Sequence, residues 1–531
     1  MKRTFLPHFL LTFCCVLLCS GSVPFVQWRG VMIDVSRHYY PVQELYRQVD
    51  IMSNYGLNVL HLHLTDAAGW RLEIRKYPRL TQLGAWRTRP VWKDWWELRT
   101  YSDSISGYGG YYTQEQMRQL VRYAQAKGVT IVPEIEFPGH SEAVCAAYPH
   151  IAFDHAELDM SNPETFRFMQ DVLQEVAEIF PSAYIHCGGD ESATQKDAYI
   201  PSIRKLNGIV RRLGRKMIMW DEALTDDLAD SSIVIMVWRD AQYGARAAEL
   251  GHEVIMCPSS YCYLDSYQDA PATQPETMGG YRPIDRVLEV RNVLPKERLL
   301  GLQANVFTEY VPTVQLLEYQ LWPRALAVAE IGMRRNRPLQ RFRKWAIHVA
   351  DSLRAAGVNA FDLRNEQGQR PQALRKAGHL ARGCSVTFGN GCRYSSIYPA
   401  SGDNALTDGM QGTWNNNDGR WQGFCCDIDI TIDLGRERTV SQVTLPFMQI
   451  TGPGIFLPLA VTVGFDNGAA SPMHQALDGC APNAVAAVAG TTPYAIAAYS
   501  YTGKTRTRYI RIRAQRIARG GWLFADEVIV R

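Results

Sequence analysis

The sequence predicts an α/β fold, a (β/α)8 barrel, followed by an all-β sandwich. Three observations carry this expectation. Eight β-rich apolar runs recur between residues 29 and 309, the stretches between them have helical periodicity, and from about residue 384 the texture changes to period-two runs and turns. A barrel of this kind builds its site from the C-terminal ends of the strands. The tail of each run is therefore where chemistry should be found.

Taken in order, the runs are RGVMIDVSR (29–37), LNVLHLHLTD (57–66), VTIVPEIEFPGH (129–140), AYIHCGGDE (183–191), KMIMWDE (216–222), SIVIMVWRD (232–240), HEVIMCPSSYCYLD (252–265) and LLGLQANVFTE (299–309). The segments 113–128 and 162–180 repeat apolar residues at helical spacing, and Thr113 with Gln116 and Asn162 before Pro163 mark helix starts. RFRKWAIHVADSLRAAGVNAF (341–361) predicts the last barrel helix, so the barrel domain is expected over 23–365 and a linker over 366–383. DIDITIDLG (427–435) and RTRYIRIRA (506–514) alternate apolar and polar residues as half-buried strands do, giving a sandwich over 384–531.

The first 22 residues read as an export signal: Lys2 and Arg3, an apolar stretch to about Leu18, then small residues. Export implies a periplasmic, cell-surface or secreted protein. Cys19 stands where a lipid-anchor cysteine would, behind a bulky Leu18 rather than a small residue. No later stretch reaches the ~20 apolar residues of a membrane-spanning helix. A net charge of +3 gives no reason to expect nucleic acid as a partner. Of 12 cysteines three lie in the signal, and an odd nine remain, which excludes a complete disulfide framework.

The strand tails contribute Arg37, Asp66, His140, Asp190, Glu191, Trp220, Trp238, Tyr263, Asp265 and Glu309. Any one of these could be a cap or a surface charge; together on one face they read as a pocket. The chain has no Gly-rich phosphate loop, no GxSxG elbow and no HExxH. His61 and His63 alternate like a metal pair, yet no further ligand set accompanies them, so a packed or supporting role is expected and no metal. Carboxylates with aromatics and no nucleotide motif point to glycoside cleavage.

The segments RGVMIDVSRHYY, HLHLTDAAGWRLEI, YGGYYTQEQ, VPEIEFPGHS, YIHCGGDE, WDE and EYQLWPRALAVAE resemble the family 20 glycoside hydrolases, the β-N-acetylhexosaminidases, in order over roughly residues 28–365. That resemblance implies a retaining, exo-acting enzyme without a catalytic cofactor, whose nucleophile is the acetamido oxygen of a terminal β-linked GlcNAc or GalNAc. It implies that Glu191 is the general acid and base, and that Asp190 holds the acetamido N–H. His140 and Asp66 form a relay behind the acid. Arg37 grips the 3- and 4-hydroxyls, Trp220 and Trp238 wall the acetamido methyl, Tyr263 donates to its oxygen, and Asp265 and Glu309 take outer hydroxyls. Trp322 is expected to be core.

The sequence departs from the family pattern twice. The signal-like segment runs almost directly into strand one, where family members carry an α/β domain, so the outer face of that strand needs another cover or a partner such as a second copy of the chain. Phe307 stands where the family has Trp beneath the sugar, with the Trp92–Trp96 loop as an alternative platform.

In the C-terminal third, NALTDGMQGTW, ITIDLG, VSQVTL and FADEVIV resemble discoidin-like F5/8 type C domains. Carbohydrate binding and plain packing are both open there. At Asp408 a structural calcium and a simple Asx turn are both open. The competing readings of the whole chain are a relative that releases a disaccharide or a sulfated sugar, and an inactive glycan-binding barrel.

Overall fold

The computed structural model describes residues 26–531 apart from 97, 103–106, 193, 226–227, 229, 371–377, 390, 467–469, 478–491 and 518–519. The signal segment and Cys19 lie outside the described residues. All eight expected strands form, as β1 Trp28–Asp34, β2 Val59–His63, β3 Thr130–Glu134, β4 Tyr184–His186, β5 Lys216–Trp220, β6 Val234–Val237, β7 Val254–Met256 and β8 Leu299–Val306. They pair in parallel and close with β8 against β1.

The expected run at 252–265 overshoots. β7 stops at Met256, because Pro258 cannot donate to a ladder and instead opens the short helix Ser259–Cys262. Tyr263 then rejoins the sheet edge through a bridge to Asn305.

The helix starts follow the local chemistry. Thr113 and Gln116 exchange side-chain and backbone hydrogen bonds in a capping box ahead of helix Gln114–Ala126. The Asn162 side chain accepts from Glu164 N at 2.9 Å at the start of helix Pro163–Ile179. The last barrel helix spans Leu339–Ala355. β1 is buried along its whole length. Helix Leu326–Gly332 reaches it, with Gly332 O accepting from Val26 N at 3.2 Å and Gly332 so close to the Arg29 stem that a Cβ would overlap it. Trp322 is core, its indole N–H donating to Gln48 Oε1 at 2.9 Å.

The C-terminal domain is one nine-stranded antiparallel sheet built on two long, paired strands, Ile428–Ile450 and Tyr494–Gln515. Register breaks after Asp433 and Val440 bend the pair, so Ile430, Ile432, Leu445, Phe447, Ile510 and Ile512 share one core. The segment after the barrel is tied down: Gln367 N and Gly368 N donate to the Asp269 carboxylate, and buried Arg370 bridges to Asp526 at 3.0 Å. At Asp408 the carboxylate accepts from Met410 N at 2.8 Å and Ser401 Oγ at 2.6 Å, which is an Asx turn. Cys384 and Cys392 are both free thiols.

No helix of the described residues is long and apolar enough to cross a membrane.

Candidate active site

The loops after the strands bring nine of the expected site residues around one open pocket of about 340 Å3: Arg37, His140, Asp190, Glu191, Trp238, Tyr263, Asp265, Phe307 and Glu309. Asp66 lies directly beneath, and Trp220 is buried edge-on against His186 rather than bordering the opening.

β4 delivers the two acids through Gly188 and Gly189, both with positive φ. A Cβ on Gly188 would fall 1.8 Å from Glu136 Oε2, and one on Gly189 2.2 Å from Met219 Cε. The two glycines therefore make room for the buried side chains of Glu136 and Met219. Glu191 and His140 themselves adopt φ of 51°, a conformation uncommon for residues with a Cβ and concentrated at functional sites.

His140 joins the acids to the floor. Its Nε2 lies 3.6 Å from Asp190 Oδ2 and 3.5 Å from Glu191 Oε2, while its Nδ1 lies 3.4 Å from Asp66 Oδ1. Asp66 in turn accepts from Arg37 at 2.8 Å and faces His63 Nε2 at 2.9 Å. Asp34 sets Arg37 in place by accepting its backbone N–H at 3.0 Å, and Glu309 stands 3.7 Å from the guanidinium.

These contacts decide the charges. Burial alone would lower the pKa of Arg37, but Asp66, Glu309 and Asp34 overcome it and raise it. Burial would raise Asp66, but Arg37 and His140 hold it well below the carboxylate range. His140 is raised despite burial, by Asp66 and Asp190. Asp190 is raised by burial, with His140 pulling the other way, whereas Glu191 is lowered by its contact with His140. Burial and His140 thus act on the two adjacent carboxyls in opposite directions. Burial also pushes Asp265 up to about 6 and Glu309 up to about 7.

The aromatic wall is continuous. Trp238 stacks on Tyr263 at 6.1 Å, Tyr263 meets Phe307 at 5.2 Å, and Arg37 sits over the Phe307 ring at 5.4 Å. Trp92, Trp95 and Trp96 pack on one another, with Trp95 against Tyr101, and none of them borders this pocket. Asp190 Oδ1, Asp265 Oδ1 and Glu309 Oε2 have no hydrogen-bond partner among the described residues. Unpaired acceptors beside flat rings suit a ligand with many hydroxyls and an apolar face.

The glycosyl hydrolase family 20 catalytic-domain model matches residues 26–206 and 192–334. The chain belongs to glycosyl hydrolase family 20. Within that family it is similar to a β-hexosaminidase of Porphyromonas gingivalis, 38% identical over 351 residues, which are 58% of this chain and 43% of the relative. A β-hexosaminidase of Akkermansia muciniphila is 30% identical over 397 residues, covering 66% of this chain and 76% of the relative. Among solved structures, an exo β-N-acetylglucosaminidase of Vibrio harveyi in complex with N-acetylglucosamine is similar at 27% identity and TM-score 0.56, over 64% of this chain and 60% of that one. The chain therefore spans less than two thirds of several of its relatives.

Beneath the pocket lie buried polar residues that the strand-tail reading missed. Buried Glu134, the last residue of β3, faces His61 at 3.1 Å, His186 at 2.8 Å and His63. Burial would raise Glu134, yet the three imidazoles hold it well below its ordinary value. Glu136 beside it is raised well above its ordinary value, by burial and by Asp190 and Glu134. The set His61, Glu134 and His186 has metal-ligand donor types within reach of one another, and its contacts read as a hydrogen-bonding layer beneath the pocket. Its signal was present in the sequence: polar residues at period-two spacing inside apolar strands, His61 with His63 and Glu134 with Glu136, share an inward face. Glu222, held by the Trp238 indole N–H at 3.0 Å, was legible only as part of WDE.

Proposed function

We propose that this protein is an exo-acting, retaining β-N-acetylhexosaminidase that removes terminal β-linked GlcNAc or GalNAc from glycans. The observation that carries the reading is the pair Asp190 and Glu191 on one imidazole, 3.6 and 3.5 Å from His140 Nε2, at the head of a pocket closed by Arg37.

Glu191 donates its proton to the glycosidic oxygen as the C1–O bond breaks, and the substrate's acetamido oxygen bonds to C1. Asp190, as a carboxylate, accepts the acetamido N–H and stabilises the positive oxazolinium. Glu191, now ionised, takes a proton from water as that water attacks C1. The acetamido oxygen leaves and the configuration is retained. In the open pocket the contact with His140 lowers the pKa of Glu191. A bound sugar excludes water from it and moves its pKa upward. No cofactor enters these steps. Aryl β-GlcNAc should be hydrolysed and the matching β-glucoside essentially untouched; comparable rates on both would overturn the substrate-assisted mechanism.

The reading extends to the rest of the chain. The motifs at 404–414 and 524–530, on an antiparallel sheet, support an F5/8 type C relationship and a glycan-binding role for the C-terminal domain. Binding of glycans by the intact Glu191→Gln protein tests this. The basic-then-apolar N-terminus supports export, and sequencing the mature protein should find its first residue near position 23.

A further inference from the structure

The barrel alone does not complete the pocket. Tyr398, Asn416, Asn417 and Pro453, all from the C-terminal domain, border the same cavity as Arg37 and Glu191. Their placement is fixed by a core that the two domains share. Tyr267 and Tyr281, from the loop between β7 and β8, pack with Trp414, Ile450 and Tyr494. The Tyr267 and Tyr494 rings meet at 5.4 Å, the Trp414 indole N–H donates to Gly368 O at 3.0 Å, and Thr451 Oγ1 donates to Glu276 Oε1 at 3.3 Å. The loop bearing Asn416 and Asn417 leaves directly from this core at Trp414.

Depth in the pocket tells which part of a substrate these residues meet. The Arg37 end is buried, whereas the side chain of Glu191 is 64% exposed, so the oxygen it protonates lies toward the opening. Whatever is attached to that oxygen extends between the barrel rim, where Met278 is 40% exposed, and the C-terminal domain. The residues waiting there suit a neutral sugar. Asn416 is 6% exposed, and its Nδ2 donates to Asn417 Oδ1 at 3.1 Å, leaving carboxamide donor and acceptor capacity for hydroxyls. Tyr398 and Pro453 offer apolar surface of the kind that carries the C–H face of a pyranose.

We propose that the C-terminal domain forms the leaving-group subsite, holding the second, uncharged sugar of a β-linked glycan through Asn416 and Asn417. The inference rests on the hexosaminidase reading above. It is tested by comparing kcat/KM for the disaccharide GlcNAc-β-1,4-GlcNAc with kcat/KM for 4-nitrophenyl β-GlcNAc, in the full-length protein and in the Asn416→Ala/Asn417→Ala variant. The disaccharide-to-aryl ratio should fall about tenfold, the effect of losing one or two neutral hydrogen bonds. Because Asn416 is buried, the single variant Asn417→Ala, at an exposed position, gives a second reading. With an unchanged melting temperature it should still lower the ratio severalfold. Ratios equal to wild type in both folded variants would overturn the subsite while leaving the hexosaminidase reading intact. Wild-type protein that cleaves neither glycoside would overturn both.

Discussion

At the floor of the pocket each charged group is held by buried partners from the barrel, whereas the rim is more open and is built by two domains. Arg37 is buried among Asp34, Asp66 and Glu309, and Asp66 among Arg37, His63 and His140. Glu191, one residue beyond Asp190, stands largely exposed with His140 as its ion-pair partner. A floor of this kind is preorganised before substrate arrives, so its electrostatic work requires no rearrangement. The rim is tuned by whatever occupies it. On the function proposed above, the floor sets the reaction type and the rim meets the leaving group.

The strongest way to break this division is to exchange the two acids. Glu191→Gln should cost natural glycosides about 10²–10⁴-fold in rate, the usual worth of general acid help. It should spare substrates whose leaving group needs no proton. Asp190→Asn should slow both kinds alike, and matching profiles for the two variants would mean that the roles are misassigned.

Beneath the floor, Glu134→Gln takes the buried anion away from His63, whose pKa Glu134 raises despite burial. It should destabilise the protein by about 3–5 kcal/mol in denaturant titrations, as breaking a buried ion pair does. A loss under about 1 kcal/mol would show that the layer is not electrostatically coupled.

His140 spans both regions, and its removal predicts a shift of the pH profile. His140 lowers the pKa of both Asp190 and Glu191. In His140→Gln both should rise. Asp190 must be ionised, so the acid limb of kcat/KM moves to higher pH. Glu191 must be protonated, so the alkaline limb moves the same way. A bell that stays in place, or moves to lower pH, contradicts the relay.

Phe307 should give the smallest effect. Its ring borders the pocket between Tyr263 and Arg37, and an indole there would add stacking area beneath the sugar. Whole aromatic pair terms are worth ~0.5–1.5 kcal/mol, so Phe307→Trp should raise kcat/KM by less than about tenfold. A clear loss of activity in the folded variant would show that the site has no room for the larger platform.

Much of this is legible in the sequence. Strand tails in a parallel barrel share one end by topology, so ten polar and aromatic residues scattered over 270 positions could be assigned to one face. The layer around Glu134 was legible only in part. An alternating strand reveals which residues point inward, but not which inward residues of different strands meet at the same height. The burial of Trp220 away from the opening could not be read at all, since a strand-end aromatic can turn to core or to pocket.

The sequence by itself determined the barrel, the order of its strands, the adjacent acids after Gly188 and Gly189, and the antiparallel character of the last third, because these follow from local periodicity and from residue types at strand ends. Only the tertiary structure decided that Asp190 and Glu191 carry oppositely shifted pKa values. It alone decided that Glu134 gathers three histidines, and that Asn416 and Asn417 reach a pocket whose acids, Asp190 and Glu191, lie more than 200 residues away from them along the chain. The physical reason is common to all three. Desolvation and Coulomb interactions depend on distance through space and on burial, and neither is written in the spacing of residues along the chain.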